Sequence, residues 1–129
     1  MAVAAAEDEH VLKAVRDSVN ERVIIPLLIG DKAKVEQVAK SIGFDLNGIE
    51  LIDNREGGAV SARLAVAKVK RGEADLVMKG FVSTADLLKA VLDKETGLRA
   101  GRLLSHVAFF QSPYYHNPTF TLKIIFDKK

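Results

Sequence analysis

The sequence has 129 residues, enough for one ordinary domain and short for two. Hydrophobic residues make up 48% and charged residues 28%, with 19 basic side chains against 17 acidic ones, so the composition excludes a disordered or fibrous chain and allows a sizeable core. The absence of cysteine excludes disulfides, thiolate catalysis and thiolate metal sites, and the alternation of charge sign, with no basic stripe among aromatics, predicts no nucleic-acid partner.

The chain opens on a small apolar run, Ala2–Ala6, followed by Glu7-Asp8-Glu9, whose acids suit the positive end of a helix running to about Asn20. In that helix Val11, Leu12, Val15 and Val19 recur at helical spacing and are expected to face the core. The N-terminus lacks the basic and apolar regions of a signal peptide, and the longest apolar stretches, such as Val23–Ile29, are too short to cross a bilayer. The expectation is a soluble, cytoplasmic protein with no membrane partner.

Arg22–Ile29 reads as the next strand, rich in β-branched residues and ending at Gly30-Asp31. Asp31 is placed to cap a second helix with the stripe Val35, Val38, Ala39 and Ile42, and Gly43 stops it. Ile49–Ile52 is a third short strand, Gly57-Gly58 breaks the chain, and a helix follows from about Ala59 to Lys70. Asp75–Met78 is a fourth strand, and Ser83 opens a helix to about Lys94. Leu103–Phe110 and Thr119–Phe126 read as two further strands. Strands alternating with helices of this length predict one α/β domain over residues 1–129, doubly wound around a mainly parallel sheet. Val23, Ile25, Leu27, Ile29, Leu76, Val77, Val107 and Phe109 are expected to be mostly buried.

Ligands of open α/β sheets bind beyond the carboxyl ends of the strands, so the loops at Glu7, Gly30-Asp31, Asp53–Gly58, Lys79–Thr84 and after Phe110 are the places to look. Ser83-Thr84-Ala85-Asp86 matches a capping box with Asp at its fourth position. On one reading Ser83 caps the helix, Asp86 reaches back, and nothing else happens there. On the other, the unpaired N–H groups of the helix start, the two hydroxyls, Gly80 and the nearby Lys79 and Lys89 attract a phosphate, with Asp86 opposing. Arg99 and Arg102 flank Ala100-Gly101 ahead of Ser105-His106; a solvated basic turn explains the arginines equally well, and a lone histidine at the start of a strand is more often structural than catalytic. His10, His106 and His116 have no partners at metal-ligand spacing, so no metal is expected.

Three stretches carry a resemblance: VAAAEDE at Val3–Glu9, PLLIGD at Pro26–Asp31, and above all MKGFVSTADLLKAVLDKETGLRAGRLLSHVAFF from Met78 to Phe110. From about residue 2 to about residue 118 the chain resembles the phosphate acetyl/butyryltransferase family, with phosphate butyryltransferases the closer branch. The resemblance implies a phosphate acyltransferase that moves an acyl group between coenzyme A and phosphate: butyryl-CoA and phosphate to butyryl phosphate and coenzyme A. It implies an isocitrate/isopropylmalate dehydrogenase-like fold with the active site in an interdomain cleft, no permanently bound cofactor, coenzyme A and phosphate as substrates, and a homo-oligomer. The positions that match substrate-binding segments of the family are Ser83, Thr84, Lys89, Arg99, Arg102 and Ser105; no catalytic residue is assigned. Relatives commonly carry arginine where this chain has Lys89.

After Pro113–Asn117 the chain departs from the family and reads TFTLKIIFDKK. The expectation is an N-terminal portion of such an enzyme, by truncation, a shifted reading frame or the choice of expressed segment, with little or no activity alone. The apolar residues Tyr114, Tyr115, Phe120, Ile124, Ile125 and Phe126 are expected to promote association. The alternative is a non-catalytic α/β module that binds an anion or self-associates. A flavodoxin-like or receiver-like binding domain ranks last, since no Asp cluster or phosphate loop marks one.

Overall fold

The computed structural model describes residues 1–98, together with the backbone of strands 104–110 and 119–125. It divides into two compact units, Met1–Arg99 and Ala100–Lys129. In the first unit the elements run β1 (Ala2–Ala4), α1 (Glu9–Asn20), β2 (Leu27–Gly30), α2 (Lys32–Ser41), β3 (Glu50–Asp53), α3 (Gly58–Lys70), β4 (Val77–Lys79) and α4 (Thr84–Leu92). The four strands form one sheet in the order β3-β2-β1-β4, and every pairing is parallel. In the second unit β5 (Leu104–Phe110) pairs antiparallel with β6 (Thr119–Ile125).

Side chains of β1 alternate between two cores, as the period of a strand requires. Val3 faces a cluster with Leu28, Leu12 and Val15 of α1, and Val35 and Ala39 of α2. Ala2 and Ala4 face the other cluster, with Leu27, Ile29, Ala62, Ala65 and Val66 of α3, and Ala90 of α4. Helices therefore cover both faces, and the first unit is a doubly wound α/β sheet. The small residues of β1 and α3 let helix and sheet pack closely, while Leu12, Val15, Leu28, Ile29 and Val35 are completely buried. Each such aliphatic side chain contributes about 1.5–3 kcal/mol through burial.

Three residues expected in the core lie outside it. Val23 is 74% exposed, Ile25 87% and Leu76 58%, whereas Leu27 and Ile29 are buried as expected and Val77 is half-buried. The reason lies in how α1 ends. Arg22 adopts a left-handed φ of 57°, its N–H donates to Val19 O, and the Val23 N–H reaches back to Ser18 O at 2.9 Å. That pairing is a Schellman closure, which uses these residues to satisfy helix carbonyls and delays the strand. Pro26 brings no N–H to a ladder, so β2 starts at Leu27, whose N–H donates to Met1 O. The side chains of Val107 and Phe109 lie outside the described residues, as do Tyr114, Tyr115, Phe126 and the side chains of Phe120, Ile124 and Ile125. Among the described residues, no helix is long and apolar enough to cross a membrane.

Candidate functional site

Chain order reverses between β1 and β4, because β2 and β3 extend to one side of β1 and β4 lies on the other. At such a switch point the loops leaving neighbouring strands turn to opposite faces and open a crevice at the carboxyl edge. The loop after β1 leads into α1 and the loop after β4 leads into α4, so Ala5–Asp8 and Gly80–Ser83 flank that crevice. The second loop is tied to the first strand: Gly80 N–H donates to Ala4 O at 2.8 Å and Phe81 N–H to Ala5 O at 2.8 Å. A methyl on Gly80 would lie 2.2 Å from Ala5 O and 2.4 Å from Ala4 O, so only glycine permits this approach. Ala5 itself turns the chain with a left-handed φ of 56°, rare for a residue with a side chain.

Ser83, in extended conformation, caps α4. Its hydroxyl oxygen accepts from Asp86 N–H at 3.0 Å and the hydroxyl donates to Asp86 Oδ2 at 2.7 Å. The hydrogen bond from Ser83 holds the Asp86 carboxyl below its ordinary range, and nearby Lys89 acts in the same direction. Lys89 Nζ lies 3.5 Å from Asp86 Oδ1, with its side chain 79% exposed. Ser83 and Thr84 are exposed at the start of α4.

Two grooves involve this turn and the helix it opens. One, of about 290 Å³, is lined by Lys79, Gly80, Phe81, Val82 and Ser83. The other, of about 280 Å³, lies between α3 and α4 and is lined by Ala59, Arg63, Asp86, Lys89, Ala90 and Asp93. The two lysines that sequence reasoning placed near the turn therefore separate: Lys79 shares a groove with Ser83, while Lys89 faces the second groove and reaches Ser83 through Asp86. Arg99 and Arg102, and the side chain of Ser105, lie outside the described residues. The arrangement offers hydroxyls, helix N–H groups and a cation to a small anion, with Asp86 as the opposing charge.

Glu7 carries a signal that composition and spacing do not reveal. Its Oε2 is buried without a hydrogen-bond partner among the described residues. The carboxylate is pressed onto Gly30, where a methyl group would come within 2.0 Å of that oxygen. A buried acceptor without a donor costs about 1–3 kcal/mol. Next along the edge, Asn54 Nδ2 donates to Gly57 O at 3.0 Å and to Ser61 Oγ at 2.8 Å. That pair sets the entry of α3. Among the described residues no group of three or more His, Asp or Glu side chains gathers as a metal site.

A larger groove, about 520 Å³, opens at the opposite, amino edge, and is lined by Met1, Val19, Arg22, Val23, Ile24, Ile25, Asp75 and Leu76. Apart from Arg22 and Asp75 its side chains are apolar, so it lacks the convergent polar groups of a reaction site.

Residues 1–62 match the family model described as phosphate acetyl/butaryl transferase. The chain is 41% identical over 127 residues to a phosphate butyryltransferase of Clostridium acetobutylicum, an alignment that covers 98% of this chain and 42% of the relative. With a phosphate butyryltransferase of Clostridium beijerinckii it shares 43% identity over 110 residues, 85% of this chain and 36% of the relative. A phosphate acetyltransferase of Thermotoga maritima is 37% identical over 120 residues, 92% of this chain and 40% of the relative. Among solved structures, a branched-chain phosphotransacylase from Enterococcus faecalis V583 superposes with a TM-score of 0.59 at 22% identity, covering 95% of this chain and 41% of that one. That likeness is one of fold. The chain spans about two fifths of the length of these relatives.

Proposed function

From sequence shared with the phosphate acetyl/butyryltransferase family over nearly all of its length, we propose that this chain is part of a phosphate acyltransferase. The reaction is exchange of a short acyl group, butyryl by preference, between coenzyme A and phosphate, both of them substrates rather than resident cofactors. The observation that carries this reading is the hydroxyl-bearing start of α4 at the switch point of the sheet, with Lys79 lining the same groove as Ser83.

In this reading Ser83 and Thr84 bind phosphate or the phosphate end of an acyl phosphate, using their hydroxyls and the free N–H groups of the first turn of α4. The Ser83 hydroxyl must turn from Asp86 toward the anion; Lys89, 3.5 Å from Asp86 Oδ1, offsets that carboxylate's charge, and Lys79, in the groove of Ser83, attracts the anion. Lys89, Arg99, Arg102 and Ser105 belong to the same substrate-binding set. Electrostatic stabilisation of the charge growing on the acyl oxygen, and positioning of thiol against carbonyl, are the two demands of the chemistry. One wall meets only part of them. Losing a single oxyanion donor costs roughly 10²–10³ in rate, so the isolated chain binds phosphate weakly and turns over negligibly. The working enzyme is a cytoplasmic homo-oligomer.

Two measurements test this. Titration with phosphate should shift the amide signals of Ser83 and Thr84, and Ser83→Ala should weaken the binding. Coenzyme A release from butyryl-CoA and phosphate should stay near background. An anion bound reproducibly elsewhere, with this turn undisturbed, leaves Ser83 a helix cap only; robust turnover abolished by Ser83→Ala overturns the inactivity of the isolated chain.

A second reading, a non-catalytic module that self-associates, is favoured by one observation: Val23, Ile25 and Leu76 are largely exposed around the amino-edge groove. Light scattering that shows a strict monomer at high concentration counts against it.

A further inference from the structure

The geometry points to Phe81 as the apolar wall against which the carbon chain of an acyl phosphate lies, so that this ring, rather than the phosphate-binding turn, sets chain-length preference. The inference rests on the phosphate reading of Ser83 and Thr84 and extends it to the rest of the ligand.

Phe81 is 72% exposed. A single exposed apolar side chain is ordinary on a protein surface, and three others lie at the amino edge. Phe81 differs in that its backbone is anchored beside polar groups. Its N–H donates to Ala5 O, the preceding Gly80 N–H to Ala4 O, and the following Val82 N–H to Gly80 O at 2.9 Å. Val82 is buried and packs into the core shared with Ala62 and Ala90. The backbone on both sides of Phe81 is thus anchored to β1 and to the core, and the ring is left in the groove that also contains Lys79 and Ser83. The groove, about 290 Å³, is large enough for more than a phosphate ion. An aromatic ring on an anchored backbone, next to the Ser83 hydroxyl and the Lys79 cation, fits an amphipathic ligand of one kind: a tetrahedral dianion with a short carbon chain attached. Because the backbone that carries the ring is already in place, contact with the chain needs only the side chain of Phe81 to be ordered.

Alkylphosphonates test this without turnover, since they combine a phosphate-like dianion with a stable carbon chain. Affinity of the chain for methyl-, propyl- and pentylphosphonate should rise about 2- to 4-fold per methylene, the range expected for partial to full burial of each group. In Phe81→Ala the rise should flatten while inorganic phosphate binds as before, and Phe81→Leu should keep part of it. The side chain is exposed and its backbone hydrogen bonds survive substitution, so folding is retained; thermal denaturation checks that. Equal affinity for all three phosphonates in the unsubstituted chain overturns the inference and leaves the phosphate reading intact. A rise that persists in Phe81→Ala overturns it also, as does a change in oligomeric state in that variant, which would assign the ring to contact between copies. Failure of phosphate itself to bind removes the phosphate reading and this inference together.

Discussion

The two edges of the parallel sheet belong to the same four strands and differ in almost every physical respect. At the amino edge Val23, Ile25 and Leu76 leave large apolar surfaces in water around a groove of about 520 Å³. At the carboxyl edge polar and charged side chains gather, with Glu7 against Gly30, Asn54 bonded to Ser61 and Ser83 bonded to Asp86, and the exposed ring of Phe81 lies beside them. The helices explain the contrast. Every helix of this unit starts at the carboxyl edge, where unpaired N–H groups call for Asp8, Asp31 and Ser83 as caps and make the edge receptive to anions. Helices end at the amino edge, where the chain needs only to return to the sheet. Cavity size and chemistry therefore point to opposite ends: the polar and charged side chains line the smaller grooves.

The largest expected effect separates residues of one apolar run. Leu28→Ala should cost about 2–5 kcal/mol in chemical denaturation, because Leu28 is fully buried. Ile25→Ala, three residues earlier and 87% exposed, should change stability by no more than about 0.5 kcal/mol. Similar losses at both positions break the distinction between core strand and amino-edge connection.

Gly80→Ala comes next, at about 3 kcal/mol, since the added methyl meets the carbonyls of Ala4 and Ala5 rather than a side chain that can move. A neutral result means that the β4–α4 turn does not sit as close to β1 as its hydrogen bonds require. The smallest effect is acid-dependent. Asp86 has a folded pKa below its ordinary value of 3.8, so its contribution to stability is present above that value and is lost as pH falls through the folded pKa. Asp86→Asn should flatten the fall of stability with acid below about pH 4, and should strengthen phosphate binding by removing the opposing charge. An unchanged acid profile with unchanged phosphate affinity separates Asp86 from both roles.

What the amino-acid sequence determined by itself was what depends on near neighbours. The four helices begin and end within two residues of their expected positions, because Asp31, Gly57 and Ser83 act on N–H groups two to four residues away. The alternation of strands and helices predicted a doubly wound sheet, and the tetrapeptide Ser83–Asp86 predicted its own cap. Tertiary structure alone decided the rest. Strand order, and with it the crevice between β1 and β4, depends on contacts between residues as distant as Ala4 and Gly80. Whether Ile25 or Ile29 is buried depended on a helix closure at Arg22 that spends part of the apolar run outside the sheet. The meeting of Glu7 with Gly30, and of Phe81 with Ser83 and Lys79 in one groove, exists only once β1, β2 and β4 lie side by side. Local hydrogen bonding is written in a few adjacent residues; a site is assembled from segments that become neighbours only through packing.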